Sequence, residues 1–333
     1  MAYAHQNFPA SVPDGNAIIS GGAVKYRYLA DEIPHSGTTC NILYAVSSSH
    51  FPGMARLLEA AQNKGIRVIW NQNGAWFPSA YGRDVATRGN AQMAPLLHAA
   101  DYVFYQSQFA KLASDHFLGE RKGPSEILYN AIDTDLFCPV IPLKRDEIVL
   151  LLAGSHNDSY RLPVAIEVLK ILHKKKRKVK MLIAGLATEK MMVNIRRLLS
   201  RAGLDKAVDF SGPYCQNNAA AVFSRAHILL HTQYNDVCPT VVIEAMACGL
   251  PVVYSSTGGT PELVGEDAGY GVPGALDWHT PRPPSAESLA DGICVVADLL
   301  NDYSAAARER AVKCFDLKHW LQRHREVFKK LVV

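Results

Sequence analysis

A chain of 333 residues, 48% hydrophobic and 20% charged with a formal net charge of +4, reads as a soluble globular protein too long for one ordinary core, so two domains are expected. No apolar run reaches the length of a membrane span, and the N-terminus has no basic segment followed by an apolar one, which argues against a membrane or secretory class. The seven cysteines are scattered and form no CxxC pair, so neither a disulfide framework nor a zinc site is expected, and reduced thiols imply a cytoplasmic setting where the Asn157-Asp158-Ser159 sequon is without meaning.

Residues 1–20 contain Pro9, Pro13 and Gly15 and little periodicity, so a first strand there is very short or the segment is irregular. Gly21-Gly22-Ala23-Val24-Lys25-Tyr26 precedes a helix, and two glycines let a backbone come close to a ligand or simply turn. Asn41–Val46 and Ile66–Trp70 read as strands around a helix at Met54–Lys64. Asn71-Gln72-Asn73-Gly74 follows the second of them, either as an Asn-Gly turn or as a hydrogen-bonding site. Tyr102–Tyr105 and Ile127–Tyr129 read as further strands, and His98 and His116 as ordinary helical residues. A linker from Asn130 to Pro142 leads to a second series of strands at Ile148–Leu152, Met181–Ala184, Val208–Phe210, His227–Thr232 and Pro251–Tyr254. Strands alternating with helices imply parallel sheets.

Within that series, His173-Lys174-Lys175-Lys176-Arg177-Lys178-Val179-Lys180 closes a helix whose dipole its cations complement. The same run would also suit an anionic membrane or an acidic acceptor. Nucleic acid is not indicated, because no aromatic residues interleave with it. Gly154-Ser155-His156-Asn157-Asp158-Ser159-Tyr160-Arg161 follows the first strand of the series, with Arg161 a phosphate ligand or a surface residue. Ser255-Ser256-Thr257-Gly258-Gly259-Thr260-Pro261-Glu262 follows the last, and Thr260 can cap a helix starting at Pro261.

The most informative stretch runs from Asn235 to Val253. Asp236 and Glu244 stand on either side of a helix start, Pro239 suits the first turn, Gly249 the C-terminal cap, and Pro251 stops continuation. A carboxylate among Val, Ile, Ala and Met is costly to bury without a hydrogen bond, so something polar should face Glu244. Strand, loop and helix N-terminus in that order supply an anion site at Pro239, Thr240 and Val241 and carboxylates for hydroxyls. A sugar nucleotide needs that combination.

The segment resembles the acidic motif of retaining glycosyltransferases of the GT-B fold, sequence-family 4: an acid, seven residues, then Glu244-Ala245-Met246-Ala247-Cys248-Gly249-Leu250-Pro251-Val252-Val253, with Asp236 where the family has Glu. The resemblance is strong from about Ala100 to Leu263 and weaker from Gly21 to Asn73. It implies an α/β, GT-B fold: two Rossmann-like domains facing across a cleft. Residues 1–143 would be the acceptor domain, 144–312 the nucleotide-sugar donor domain, and 313–333 a C-terminal helix crossing back to the first domain. It further implies that Asp236 binds hydroxyls of the donor sugar and Glu244 the ribose. The loops around Gly21, Gly22, Gly154 and Gly259 would face the donor. Arg161 would hold the diphosphate, helped by Lys190 or Lys25, because Ser155 and His156 stand where relatives carry an Arg. Asn73 stands where many relatives have a His near the transferred sugar.

The resemblance therefore implies metal-independent transfer, with retention of anomeric configuration, from a nucleotide-diphosphate sugar of UDP or GDP type. The acceptor would be the hydroxyl of a glycan, a lipid-linked compound or a small molecule. No cofactor is expected, nor a metal, since there is no Asp-x-Asp and no His/Cys cluster. Asp236, Arg161 and Asn73 are the expected catalytic group. A sugar-nucleotide epimerase would need another carboxylate constellation. A degenerate subunit that binds sugar nucleotide or a partner enzyme without turnover is the alternative outside enzymes. Localisation is expected in the cytoplasm, including the inner face of the membrane.

Overall fold

The computed structural model describes residues 1–5, 21–139 and 146–332. Its contacts divide the chain into two units. One comprises Met1–Ala131, Asp277–Pro281 and Leu317–Val333, the other Ile132–Leu276 and Arg282–Asp316. The change of unit falls between Ala131 and Ile132 rather than at 143/144, and the later one at 316/317 rather than 312/313. The reason is local. Ile132 pairs with Asp316, and Arg308 donates to the carbonyls of Thr134 (3.2 Å) and Phe137 (2.7 Å), which ties the linker to the second unit. The linker residues Val140, Ile141 and Pro142 lie outside the described residues.

The first unit runs β1 (Ala2–Ala4), α1 (Gly21–Glu32), β2 (Ile42–Val46), α2 (Met54–Asn63), β3 (Arg67–Gln72), α3 (Pro78–Tyr81), α4 (Arg83–Ala99), β4 (Tyr102–Tyr105), α5 (Gln108–Leu118) and β5 (Ser125–Ile127). Its five strands pair in parallel in the order β1-β2-β3-β4-β5. The first strand exists but is three residues long, and residues 6–20 lie outside the described residues. Alternation sorts the side chains. Leu43, Ala45, Val68, Trp70 and Val103 face α2 and α4, whereas Ile42, Tyr44, Val46, Ile69 and Phe104 face α1 and the last helix, α13 (Leu317–Val332). Both faces are apolar because a parallel sheet is covered on both sides. Trp278, in the short segment that joins this unit, stacks on Phe109 (5.2 Å) and His116 (5.6 Å), while His98 bonds the Leu118 carbonyl (2.9 Å).

The second unit runs β6 (Ile148–Leu152), α6 (Arg161–Lys174), β7 (Val179–Ala184), α7 (Glu189–Ala202), β8 (Val208–Gly212), α8 (Gln216–Phe223), β9 (Ile228–His231), α9 (Thr240–Ala247), β10 (Val252–Ser255), α10 (Thr260–Val264), β11 (Gly269–Val272), α11 (Ala286–Asp298) and α12 (Leu300–Phe315). The six strands are parallel in the order β11-β10-β9-β6-β7-β8. Taken from its first strand, this is the 3-2-1-4-5-6 order of a doubly wound nucleotide-binding sheet, reversing between β6 and β9. Leu150, Leu152, Leu162, Leu169, Leu230 and Ile293 are fully buried at its core, each contributing roughly 1.5–3 kcal/mol of transfer energy.

The basic run at the end of α6 is not a bare cationic patch. Lys175 pairs with Asp291 and Arg177 with Asp298 (2.9 Å), both on α11, and Lys180 pairs with Glu147 (2.9 Å). Among the described residues, no helix is long and apolar enough to cross a membrane.

Candidate functional site

The strand order reverses between β6 and β9, and there the two outgoing loops part and open a crevice at the carboxyl ends. A pocket occupies it. It is lined by Gly154 and Ser155 after β6, by Asp158 and Arg161 at the start of α6, by His231 and Asp236 around the loop after β9, and by Pro239 and Val241 at the start of α9. Five residues singled out from sequence, Gly154, Arg161, Asp236, Pro239 and Val241, therefore meet in one place.

The loop after β6 is held in shape by the loop after β7. Gly185 has φ +115°, and a Cβ there would fall 1.9 Å from the Gly154 carbonyl oxygen, so only glycine fits. Leu186 N donates to Gly154 O (3.1 Å) and His156 N to Leu186 O (2.8 Å). His156 is thereby turned inward. Its ring is fully buried, with Nε2 3.0 Å from the Ala184 carbonyl, and burial beside Arg161 pushes its pKa down to about 4. It is not a cation at neutral pH and does not line the pocket, so it does not replace a missing arginine. Ser155 does line it.

Arg161 supplies the positive charge of the described lining. Its residue is only 3% exposed, and its two Nη groups donate to the carbonyls of Ser155 and Ala153, leaving Nε without a partner. Burial lowers its pKa, and Asp236, Tyr160 and Asp158 oppose that shift. Arginine remains charged under such conditions. Nε is itself buried, so what the pocket receives from Arg161 is a fixed positive charge, which favours an anion. Lys190, by contrast, is exposed on α7 and away from the lining.

Asp236 sits on a clamped loop. Its carbonyl accepts from Gly259 N (2.7 Å), and Asn235 N donates to Thr257 Oγ1 (3.2 Å). Gly258 has φ +79°, and a Cβ there would lie 2.4 Å from Asp236 O, so the loops touch backbone to backbone. In the loop around Gly259, expected to face the donor, the Gly259 amide is thus committed to this clamp. Thr260 begins α10 instead of capping it, and its hydroxyl has no partner among the described residues. The Asp236 side chain is 29% exposed, and Oδ2 lies 3.2 Å from Nε2 of His231.

Pro239 is the N-cap of α9 rather than a residue of its first turn, and the helix ends as expected, with Leu250 N bonded to Ala245 O (2.9 Å) around Gly249. Glu244 lies one turn into that helix and, like Thr240, outside the pocket lining. Among the described residues no hydrogen bond to its carboxylate is found, and the protein around it pushes its pKa up to about 7. The polar partner expected from sequence is therefore not supplied within the described protein. Tyr214 stands in the field of both Glu244 and Arg161, with its hydroxyl bonded to the Gly154 backbone.

Gly21, Gly22 and Asn73 belong to the first unit. Gly21 opens α1. A Cβ on Gly22 would lie 2.1 Å from Ser48 Oγ, so the serine hydroxyl would have to move to admit one. Asn73 ends the strand loop after β3 with its N bonded to Ser47 Oγ (2.8 Å) and its Nδ2 to Ser48 Oγ (3.1 Å). The buried Lys25 ammonium reaches Asn71 Oδ1 (2.6 Å), Gln106 Oε1 (3.1 Å) and Asn73 Oδ1 (3.4 Å). Asn71 Nδ2 in turn donates to Tyr44 Oη (3.1 Å), which meets His324 Nε2 (3.0 Å). His324 Nδ1 faces the Trp320 carbonyl (2.8 Å), so Nδ1 carries the hydrogen and Nε2 accepts from the tyrosine.

Comparison with known proteins places this geometry. The pattern of the family "Glycosyl transferases group 1" matches residues 135–311, more than half of the chain. The chain belongs to that family. The matched span contains Gly154, Arg161, Asp236 and Glu244, but neither the Gly21-Gly22 pair nor Asn73.

Among family relatives, the D-inositol 3-phosphate glycosyltransferase of Mycolicibacterium vanbaalenii is 37% identical over 108 residues, which are 32% of this chain and 22% of that protein. The matched stretch thus spans about a fifth of the curated relative. Two solved structures share the fold. HepE from Anabaena, solved with UDP and glucose, is 18% identical with a TM-score of 0.71, covering 87% of this chain and 78% of that one. Sucrose-phosphate synthase from Thermosynechococcus elongatus is 19% identical with a TM-score of 0.72, covering 97% and 82%. The fold of this group 1 chain is accordingly the expected one: two parallel-sheet α/β units, as in GT-B glycosyltransferases.

One lining residue of this family member escaped the sequence reading. His231 ends an otherwise apolar strand and reads as part of a buried run. A polar residue at the carboxyl end of such a strand, next to a loop bearing an acid, was the available signal.

Proposed function

We propose that the chain is a retaining, metal-independent glycosyltransferase that moves a hexose from a nucleotide-diphosphate sugar, of UDP or GDP type, to an acceptor hydroxyl. The observation that carries this is the pocket at the reversal point of the second sheet. There the buried Arg161, its guanidinium fixed by two main-chain carbonyls, and the partly exposed Asp236 line one space beside a helix N-terminus. A diphosphate suits the first, sugar hydroxyls suit the second, and the ribose suits Glu244 one turn further on. The UDP and glucose bound by HepE, and the sugar-transferring activity of the inositol phosphate relatives, support the same reading.

In the reaction, the bond from the anomeric carbon to the diphosphate oxygen breaks and the acceptor oxygen bonds that carbon from the same face. The acceptor proton passes to the departing diphosphate. The protein contributes position and a fixed positive charge. The test is incubation of purified protein with UDP-glucose and with GDP-mannose, following release of the nucleoside diphosphate and labelled sugar transfer. Binding without release would favour the non-catalytic alternative.

Two expected results follow from the same assignment. Asp236→Ala binds free UDP within about twofold of the wild type but loses roughly 10- to 100-fold of the added affinity for the sugar conjugate, as charge-assisted hydrogen bonds disappear. Isothermal titration with both ligands checks this, and equal losses for the two would contradict it. Transfer also survives prolonged treatment with a chelator. Arg161 supplies the positive charge of the pocket, and no group of three or more metal-binding side chains is found among the described residues. Activity abolished by chelation and restored by magnesium or manganese would show that a cation neutralises the diphosphate.

A further inference from the structure

His231 is the last residue of β9, in the middle of the sheet, with only 2% of its surface exposed. Neighbouring side chains enclose such a ring on nearly all sides. Neither of its nitrogens has a hydrogen-bond partner of good geometry among the described residues, yet Nε2 stands 3.2 Å from Asp236 Oδ2. A buried imidazole left without a partner is costly, and the one acceptor offered to it is this carboxylate.

Asp236 has the complementary deficit. Its backbone is pinned by Gly259 and, through Asn235, by Thr257, but these contacts leave its side-chain torsions free. The groups whose charges act around the pair are Arg161, which disfavours a second cation, and Asp158 and Tyr160 at the start of α6. Asp158 is itself engaged, accepting from Gln233 Nε2 (2.6 Å), and Tyr160 Oη accepts from Tyr234 N (2.9 Å). His231 is thus the side chain placed to orient the carboxylate.

We propose that His231 is a positioning residue that donates from Nε2 to Asp236 Oδ2 and leaves the second carboxylate oxygen for the bound sugar, so that the pair, not Asp236 alone, selects the donor sugar. The proposal rests on the reading of the pocket as the donor site. A neutral ring has a single hydrogen, and placing it at Nε2 fixes the tautomer. The pre-oriented oxygen then meets the sugar without the entropic cost of freezing a rotating side chain on binding.

The test compares a replacement that keeps a ring with one that keeps a donor. His231→Phe keeps a ring and removes the donor, while His231→Gln puts an amide nitrogen near the position of Nε2. His231→Leu stands in should the phenylalanine variant not fold. Each is titrated with UDP, UDP-glucose, GDP and GDP-mannose, alone and combined with Asp236→Ala. The phenylalanine variant is expected to bind the free nucleotide within about twofold of wild type and to lose roughly tenfold of the sugar-dependent affinity. The glutamine variant recovers most of that loss. In the Asp236→Ala background, His231→Phe adds nothing, because a residue acting through another has no effect once its partner is gone. Additive losses, equal losses for nucleotide and conjugate, or a glutamine variant no better than phenylalanine would each overturn the proposal. If Asp236→Ala itself leaves the sugar-dependent affinity intact, the donor-site reading falls and this proposal with it; if only the histidine variants do, this proposal falls alone.

Discussion

Arg161→Ala lowers turnover about 100- to 1000-fold while weakening binding of the nucleoside diphosphate much less. Negative charge grows on the diphosphate as the glycosidic bond breaks, so a fixed guanidinium stabilises the transition state more than the bound donor. The geometry strengthens the expectation. Arg161 is braced against the carbonyls of Ala153 and Ser155, and His156 is turned away and neutral, so no neighbouring cation on that loop substitutes for it. The same bracing adds a second effect. Removing the guanidinium strands two main-chain acceptors, costing about 1–3 kcal/mol of stability. Circular dichroism and thermal melting separate that loss from the kinetic one. Arg161→Lys restores charge but not the planar fork that the Ala153 and Ser155 carbonyls hold in place, so it recovers only part of the rate. A near-normal turnover for the alanine variant would take the diphosphate away from this residue.

Nucleotide affinity is expected to follow the ionisation of Glu244. With its pKa pushed up to about 7 by the surrounding protein, the carboxyl is mostly protonated at pH 6 and mostly ionised at pH 8. The ionised form accepts the stronger, charge-assisted hydrogen bonds from the ribose hydroxyls. Affinity for UDP or GDP should therefore rise about tenfold from pH 6 to pH 8, since each pKa unit corresponds to about 1.4 kcal/mol. Glu244→Gln should abolish that slope and weaken binding at pH 8 by roughly 1–3 kcal/mol. Stability of the unliganded protein runs the other way. Because the folded-state value lies above that of an ordinary carboxyl, protonation favours the fold. The contribution is full below the ordinary range and is lost as pH rises through about 7. Glu244→Gln therefore melts higher than wild type at pH 8, by on the order of 1–2 kcal/mol after solvent screening of a partly exposed residue. Titration calorimetry and melting curves across that range check both signs. A flat affinity profile in the wild type would remove Glu244 from the ribose.

What the sequence disclosed, and what it hid, divides along physical lines. The α9 segment was legible because its punctuation is local. Pro239, Gly249 and Pro251 fix where a helix starts and stops through backbone geometry alone, and the structure moves the start by a single residue. The alternation of strands and helices was equally plain, and so was the parallel fold class. The three-residue β1 was not, since no periodicity can be read in three positions. Gly22 and Gly259 illustrate a different limit. A glycine next to a helix reads as room for a ligand, yet Ser48 fills the space beside one and the Asp236 carbonyl takes the amide of the other. Nothing in the neighbouring sequence shows which long-range partner will arrive. The basic run after α6 is similar, because its neutralising acids, Asp291 and Asp298, are more than a hundred positions away. His231 was hidden by its company: a histidine at the end of an apolar strand looks like core until the strand order puts it at the crevice.

The first unit takes part of its outer layer from α13, which follows the whole second unit in the sequence. Trp320, Leu321, Val327 and Phe328 on α13 close the face formed by Tyr26, Leu29, Tyr44 and Phe104. A ribosome delivers these pieces more than two hundred residues apart, with the whole second unit made in between. During synthesis, therefore, the earlier part of the chain emerges before the α13 side chains that pack on this face. The second unit, whose segments lie between residues 132 and 316, can complete its own core first. The unit whose synthesis begins first thus has the core that can be completed only after the other's has been made.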